Sequence, residues 1–376
     1  MTPPRETSPT ILVVDDAPVS RDLLLRILRS EGFRSVTAEN GPAAVEQCAR
    51  EPVDLILLDA MLAGASGFEV CAGLKSNART SDIPVIFLSA LDDSSHRLAG
   101  FKVGGVDYIA KPFYAREVLA RVRVHLRLRQ AAEHMIREQR ARLEELRQAQ
   151  QSILVTPEEI PQAHFAVYYR PLDAVGGDFY DVVALSGDAV GYFVADISGH
   201  GVGASFLTAA VKALLRQYSG PLFALEDAMR NMNAAMRATL SDGRYMTACY
   251  ARLSHRNLSV VSAGHSPLIL VSDQGQARFA NIESDPLGVF GAVVFEKQEI
   301  NVKPGDRFYL YTDGLMEDPR LPGRGRTAGL ERLRAACGCR HGMPLEEGVR
   351  AIVADLQADG PTADDDLLLL GVEVSA

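Results

Sequence analysis

Within the first 125 residues a short apolar run gives way, five times over, to a stretch whose apolar positions carry helical spacing. Thr10 to Val14 leads through Pro18 to Leu23, Leu24, Ile27 and Leu28. Ser35 to Ala38 precedes Ala43, Ala44 and Cys48, and Val53 to Leu58 precedes Phe68, Val70 and Leu74. Val85 to Leu88 precedes Leu98, and Val106 to Ala110 precedes a helix from Arg116. Strands this uniformly apolar are buried on both faces, so the repeat predicts an α/β, doubly wound, five-stranded parallel sheet. The site of such a sheet lies at the carboxyl ends of its strands. Asp15, Asp16, Asp59, Ser89 and Lys111 all fall there.

These polar positions, at the ends of four separate strands and in this order, resemble the receiver domain of two-component response regulators over about residues 9 to 125. The resemblance implies that Asp59 accepts a phosphoryl group from a sensor histidine kinase or a small phosphodonor. Asp15, Asp16 and the Met61 carbonyl would hold Mg²⁺ with it, Ser89 would hydrogen-bond the phosphoryl oxygens, Lys111 would neutralise them, and Tyr108 would be the switch aromatic. The chemistry agrees, because an aspartate nucleophile needs a cation to offset charge on the transferred group.

Residues 120 to 154 contain neither Gly nor Pro, and Arg129, Ala132, Ile136, Gln139, Leu143, Leu146, Gln150 and Ile153 recur at gaps of three and four. Half of that seam is polar or small. It predicts a helical linker over 126–156, either solvated in a monomer or forming the marginal coiled-coil seam of a homodimer. Pro157 and Pro161 then open a second domain over 157–376.

That domain begins with Asp178, Asp181 and Asp196. The runs Val182 to Leu185 and Val190 to Ala195 read as a hairpin, which brings Asp178 and Asp196 to neighbouring strand ends. Two carboxylates that close repel by several kcal/mol at an effective dielectric of ~20 unless a cation lies between them. Hard oxygen donors select Mg²⁺ or Mn²⁺. Helical patterns at 204–218 and 225–240 follow, then strands at 246–251, 258–263, 268–271, 305–312 and 367–374, predicting an α+β domain of two mostly antiparallel sheets flanked by helices.

From about residue 162 onward the motifs Val175 to Asp181, Asp196 to Gly201, Ala263 to His265, Tyr311 to Glu317 and the triplet Asp364-Asp365-Asp366 resemble the SpoIIE-like branch of the metal-dependent serine/threonine phosphatases. The resemblance implies two Mn²⁺ or Mg²⁺ ions bridged by Asp196, with Asp178, the Ile197 carbonyl, Asp313 and Asp365 as further ligands, and water attacking a phosphoserine or phosphothreonine in line. It also implies a substrate of the kind found in sigma-factor regulation, an anti-sigma-factor antagonist in a partner-switching pathway. Leu367 and Leu368 stand where the family places Thr or Ser, which leaves open which acid of the triplet is the ligand. Arg170 is a candidate for holding the substrate phosphate. His200 and His265 suit structural or substrate-proximal roles better than ligation. The segment 315–330, with Arg320, Arg324 and Arg326, reads as a mobile recognition flap.

Other outputs fit less well. A diguanylate cyclase would leave Thr312-Asp313-Gly314 unexplained, and a DNA-binding output lacks a helix-turn-helix after residue 154. A phosphatase-like adaptor acting by phosphorylation-dependent protein binding is the remaining alternative, separated from an enzyme by loss of the metal aspartates. The net charge of −9 argues against nucleic acid. With no apolar run approaching 18 residues, no secretory signal and five cysteines read as reduced thiols, the expectation is a cytoplasmic protein with no membrane contact.

Overall fold

The computed structural model describes residues 8–90, 94–199, 201–220, 223–240, 243–316, 325–358 and 365–375. The chain divides into two compact units, Met1–Gln139 and Arg140–Ala376.

In the first unit, strands and helices alternate as β1 (Thr10–Val14), α1 (Pro18–Arg29), β2 (Arg34–Ala38), α2 (Gly41–Arg50) and β3 (Leu55–Asp59). A small hairpin, β4 (Met61–Leu62) and β5 (Ala65–Ser66), precedes α3 (Gly67–Ser76), β6 (Val85–Ser89), α4 (Ser94–Lys102), β7 (Asp107–Ala110) and α5 (Ala115–Ile153). The sheet order is β2-β1-β3-β6-β7, and every pairing is parallel. Every residue of β1, β3 and β6 is buried, because one cluster covers one face and a second covers the other. Ile11, Val13, Leu55 and Leu57 pack with Val118, Val122 and Leu126 of α5. Leu12, Val14, Ile56 and Leu58 pack with Cys71 and Leu74 of α3.

The second unit contains β8 (Phe165–Arg170), β9 (Asp178–Ala184), β10 (Val190–Ile197), α6 (Val202–Tyr218), α7 (Leu225–Thr239), β11 (Met246–Ser254), β12 (Asn257–Ala263), β13 (Leu268–Val271) and β14 (Ala277–Ala280). It continues through β15 (Lys297–Asn301), β16 (Arg307–Tyr311), α8 (Gly325–Cys339), α9 (Leu345–Ala358) and β17 (Leu367–Glu373). Two antiparallel sheets result, β15-β12-β11-β10-β9 and β14-β13-β16-β17-β8. Their inner faces share one core, in which Tyr192 and Val194 of β10 meet Phe308 of β16 and Leu370 of β17. Phe193, Ala195 and Ile197 of the same strand point the other way, toward α6 and α7. Helices α8 and α9 cover the second sheet's outer face. The result is four layers, helix, sheet, sheet, helix, as expected for two antiparallel sheets flanked by helices. Burial on both sides explains why β10 reads as a continuous apolar run although its sheet is antiparallel.

In the second unit three strands were not foreseen. β8 and β14 join the second sheet, and β15 is an edge strand in which only Ile300 is buried. Helix α8 begins at Gly325, so Arg326 lies on a helix; Arg320 and Arg324 lie outside the described residues. No helix among the described residues is long and apolar enough to cross a membrane.

Candidate functional site

The strand-end acids of the first unit converge. Asp15 follows β1, Asp59 ends β3, and the carboxylate oxygens of Asp15, Asp16 and Asp59 lie within 4.8 Å of one another. Lys111, just past β7, bridges two of them, with Nζ 2.8 Å from Asp15 Oδ2 and 2.6 Å from Asp59 Oδ2. The loop backbones lock the arrangement. Asp15 Oδ1 accepts from the Ala17 N–H (2.9 Å), Asp59 Oδ1 from the Met61 N–H (3.1 Å) and Asp16 Oδ2 from the Ala63 N–H (2.9 Å). Ser89 is buried at the end of β6, and its carbonyl accepts from the Lys111 N–H. Tyr108 stacks on Phe87 and meets Phe101 edge-on.

Burial pushes the Asp59 carboxyl above its ordinary range, and the charge of Asp15 adds to this, outweighing Lys111 and the Met61 N–H. Asp15 feels the same burial but ends below its ordinary value, because Lys111, Ser20 and the Ala17 N–H all donate to it. Three clustered carboxylates, two of them sharing one ammonium, form a hard-oxygen site with surplus negative charge, a donor set that fits Mg²⁺.

In the second unit the hairpin register sets Asp178 directly opposite Asp196, and Asp196 is opposite Thr247 on β11. Asp178 is 3% exposed, and its Oδ2 accepts from the Thr312 hydroxyl at 2.6 Å. Thr312 follows β16 and is itself followed by Asp313 in a short 3₁₀ turn, so this bond ties the first sheet to the end of a strand of the second beside both acids. Burial, and then the charges of Asp196, Asp366 and Asp365, push the Asp178 carboxyl well above its ordinary range against the Thr312 bond. Such crowding of buried and half-buried acids fits divalent cations. Among the described residues, however, no three of Asp178, Asp196, Asp313 and Asp365 share a 4.8 Å cluster of the kind formed by Asp15, Asp16 and Asp59. Ligands divided between two ions need not form one.

The acidic triplet divides its labour. Asp366 is buried and turns inward, accepting from the backbone N–H groups of Leu172 (2.7 Å), Gly177 (2.7 Å) and Asp178 (3.2 Å). A side chain on Gly176 would collide with its carboxylate, which accounts for that glycine. Asp365 is only partly buried and its charge reaches Asp178. Asp364 lies outside the described residues. Gly177 lets the Ile197 carbonyl approach, since a Cβ there would stand 2.8 Å from that oxygen.

A contact not foreseen comes from the far end of α5. The side-chain amide of Gln150, 7% exposed, donates to the Gly176 carbonyl (2.7 Å) and accepts from the Gly176 N–H (3.1 Å). The loop before Asp178 is thus held by Gln150 on one side and Asp366 on the other. The signal in the sequence was a glutamine at a seam position, which also reads as coiled-coil tuning.

Arg170, the last residue of β8, is paired with Leu367 and exposed. His265 is held at Nδ1 by Thr247 Oγ1 (2.9 Å), and its buried Nε2 has no hydrogen-bond partner among the described residues. Burial lowers its pKa to about 4; the Tyr311 backbone opposes the shift and the Arg326 charge adds to it. His200 lies outside the described residues.

The family described as Stage II sporulation protein E (SpoIIE) matches residues 186–375, and the response regulator receiver domain matches residues 11–123. Among curated relatives, the chain is 40% identical over 118 residues to the sensory transduction protein RegX3 of Mycobacterium tuberculosis, covering 31% of this chain and 51% of that one. The chain spans about half the length of the curated relatives it matches. Among solved structures it resembles the SiaA-PP2C domain of Pseudomonas aeruginosa (TM-score 0.53, 25% identity, 65% of this chain and 98% of that one). It also resembles the RsbU and RsbW domains of a Mycobacterium tuberculosis protein (TM-score 0.51, 25% identity, 56% of this chain and 60% of that one).

Proposed function

Because the chain belongs to the SpoIIE family and carries a response-regulator receiver domain ahead of its PP2C-type phosphatase domain, we propose that it is a metal-dependent protein serine/threonine phosphatase governed by phosphorylation of Asp59. The observation that carries this reading is the placement of Asp178 against Asp196 in one hairpin, with Thr312 of the second sheet bonded to Asp178 and Asp313 next to it. Asp178, Asp196, the Ile197 carbonyl, Asp313 and Asp365 would hold two Mn²⁺ or Mg²⁺ ions. Bound there, the cations supply positive charge that lowers the pKa of a water and offsets charge on the phosphate oxygens. The chain's own residues set the geometry: Thr312 fixes the Asp178 carboxylate, and Asp366 and Gln150 fix the backbone leading into it. In the receiver, Asp59 is the phosphoacceptor, Asp15, Asp16 and the Met61 carbonyl would hold Mg²⁺ with it, Lys111 counters the phosphoryl charge, and Ser89 hydrogen-bonds it. A sensor histidine kinase or a small phosphodonor supplies the group. The substrate we favour is a phosphoserine or phosphothreonine protein acting as an anti-sigma-factor antagonist.

The full-length protein is expected to hydrolyse p-nitrophenyl phosphate with Mn²⁺ or Mg²⁺, to lose that activity in excess chelator, and to fall by at least about a hundredfold in Asp196→Ala and in Asp313→Ala. Undiminished turnover in chelator or in either variant would overturn the two-metal reading.

A further inference from the structure

The edge of the phosphatase site continues into an exposed surface that none of the metal residues explains. Beyond Asp196 and Ile197, the Ser198 N–H donates to the Tyr245 carbonyl (2.9 Å), and the Tyr245 N–H donates to Ser198 Oγ (2.8 Å). The next residue, Met246, exchanges backbone bonds with Leu287 (3.0 and 2.8 Å). Three chain segments therefore lie side by side, running outward from Asp196 through Tyr245 to the turn that begins at Gly288.

That turn is built to a fixed shape. Asn233 of α7, 4% exposed, accepts from the Gly288 N–H (2.8 Å) and donates from Nδ2 to the Phe290 carbonyl (2.9 Å), so one buried amide holds both ends. What it displays outward is apolar: Val289 is 42% exposed and Phe290 50% exposed, with Tyr245 at 42% beside them. An apolar turn held in place from beneath and left in water is the pattern of a contact anchor; a residue left outside by chance would carry no such support.

Two cations frame it. The Arg237 guanidinium lies 2.7 Å, and the Arg244 guanidinium 3.2 Å, from the points where Cβ atoms on Gly291 and Gly203 would stand. Arg237 thus borders the turn, and Arg244 borders the first turn of α6, the helix that follows the strand carrying Asp196. Neither has a carboxylate within 4 Å among the described residues, whereas Arg216, Arg307 and Arg340 of the same unit do. Guanidiniums with no carboxylate partner among the described residues, flanking an exposed aromatic residue, complement an anionic and apolar ligand.

We propose that Val289, Phe290 and Tyr245, flanked by Arg237 and Arg244, form the docking surface for the acidic and apolar segment beside the phosphorylated residue of a protein substrate. This rests on the phosphatase reading above and adds the chemistry of the substrate. Metal sites at sheet ends grip only the phosphate, so discrimination among phosphoproteins falls to the adjoining surface, and this one is continuous with the site.

The test uses the full-length protein with Mn²⁺ and two phosphoserine peptides of equal length, one with Asp, Glu and Leu flanks and one with Lys and Ser flanks. Both binding, by fluorescence anisotropy of labelled peptide, and kcat/KM are measured, with p-nitrophenyl phosphate as the flank-free substrate. The wild type should prefer the acidic, apolar peptide by about tenfold or more in both measurements. Phe290→Ala with Arg244→Gln should reduce the preference to near unity, and Arg244→Glu with Arg237→Glu should invert it, all with p-nitrophenyl phosphate turnover kept within about twofold. No preference in the wild type, a preference that survives the variants, or a parallel loss on p-nitrophenyl phosphate would each overturn the proposal. If no substrate is turned over, the phosphatase reading fails while the anisotropy result still decides docking.

Discussion

Asp366 and Asp365 are adjacent in sequence and opposite in behaviour. Asp366→Ala would strand two buried backbone N–H groups, of Gly177 and Asp178, and a partly buried third, of Leu172; at about 1–3 kcal/mol for each buried group, the second unit should lose roughly 3 kcal/mol in urea unfolding measured in chelator. Asp365→Ala should leave that midpoint near wild type and weaken Mn²⁺ binding in calorimetry. Equal destabilisation by both, with Mn²⁺ binding intact in Asp365→Ala, would sink the assignment. The sequence announces the acidic triplet but not this division, because successive residues entering a strand face opposite ways and the phase depends on pairing with β8, nearly two hundred positions away. His265 carries a second expectation. Its folded pKa of about 4 lies below the ordinary 6.5, so the native state binds fewer protons than the unfolded chain between those values. Its stabilising contribution is complete above pH 6.5 and is lost as pH falls toward 4, by ~2 kcal/mol at pH 5. The stability difference between pH 7 and pH 5 should shrink by about that much in His265→Asn; an unchanged difference would show that another group carries the acid limb.

At the level of elements, legibility followed burial. The strands β1, β3, β6, β10 and β16 are dominated by apolar residues and buried at nearly every position, so pattern and structure coincide. β15, Lys-Gln-Glu-Ile-Asn, has one buried side chain and exists because β12 offers it an edge; nothing local marks it. The segment 315–330 reads as a flap because of its Gly and Pro, yet α8 begins within it at Gly325. Tertiary packing overrides that propensity, since a Cβ on Gly329 would collide with the Met316 backbone. The linker seam is helical as expected, yet its members serve different ends. Arg129 donates to the Val53 and Asp54 carbonyls of the first unit, Gln150 clasps Gly176 in the second, and Ile136 and Leu143 between them stay exposed. A seam read by spacing alone could not separate these roles, because each is set by a residue distant in sequence.

Over the whole chain, a single helix, α5, contributes residues to both units, with Val118 and Val122 in the core of one and Gln150 on the Asp178 loop of the other. If phosphorylation of Asp59 is conveyed along it, acetyl phosphate should change Mn²⁺-dependent turnover by at least about threefold, and Asp59→Asn should abolish the response. Phosphorylation detected at Asp59 by mass spectrometry with turnover and oligomeric state both unchanged would remove the receiver as regulator. The placement of β17 between β16 and β8 has a consequence of another kind, in time. A ribosome making this chain releases β8 roughly two hundred residues before the strand that pairs with it, about 10–40 s at ordinary elongation rates. The receiver's five strands are all complete before the first phosphatase strand emerges. Throughout that interval the nascent chain can hold a finished receiver domain while β8 still waits for β17, the strand that follows Asp365 and Asp366.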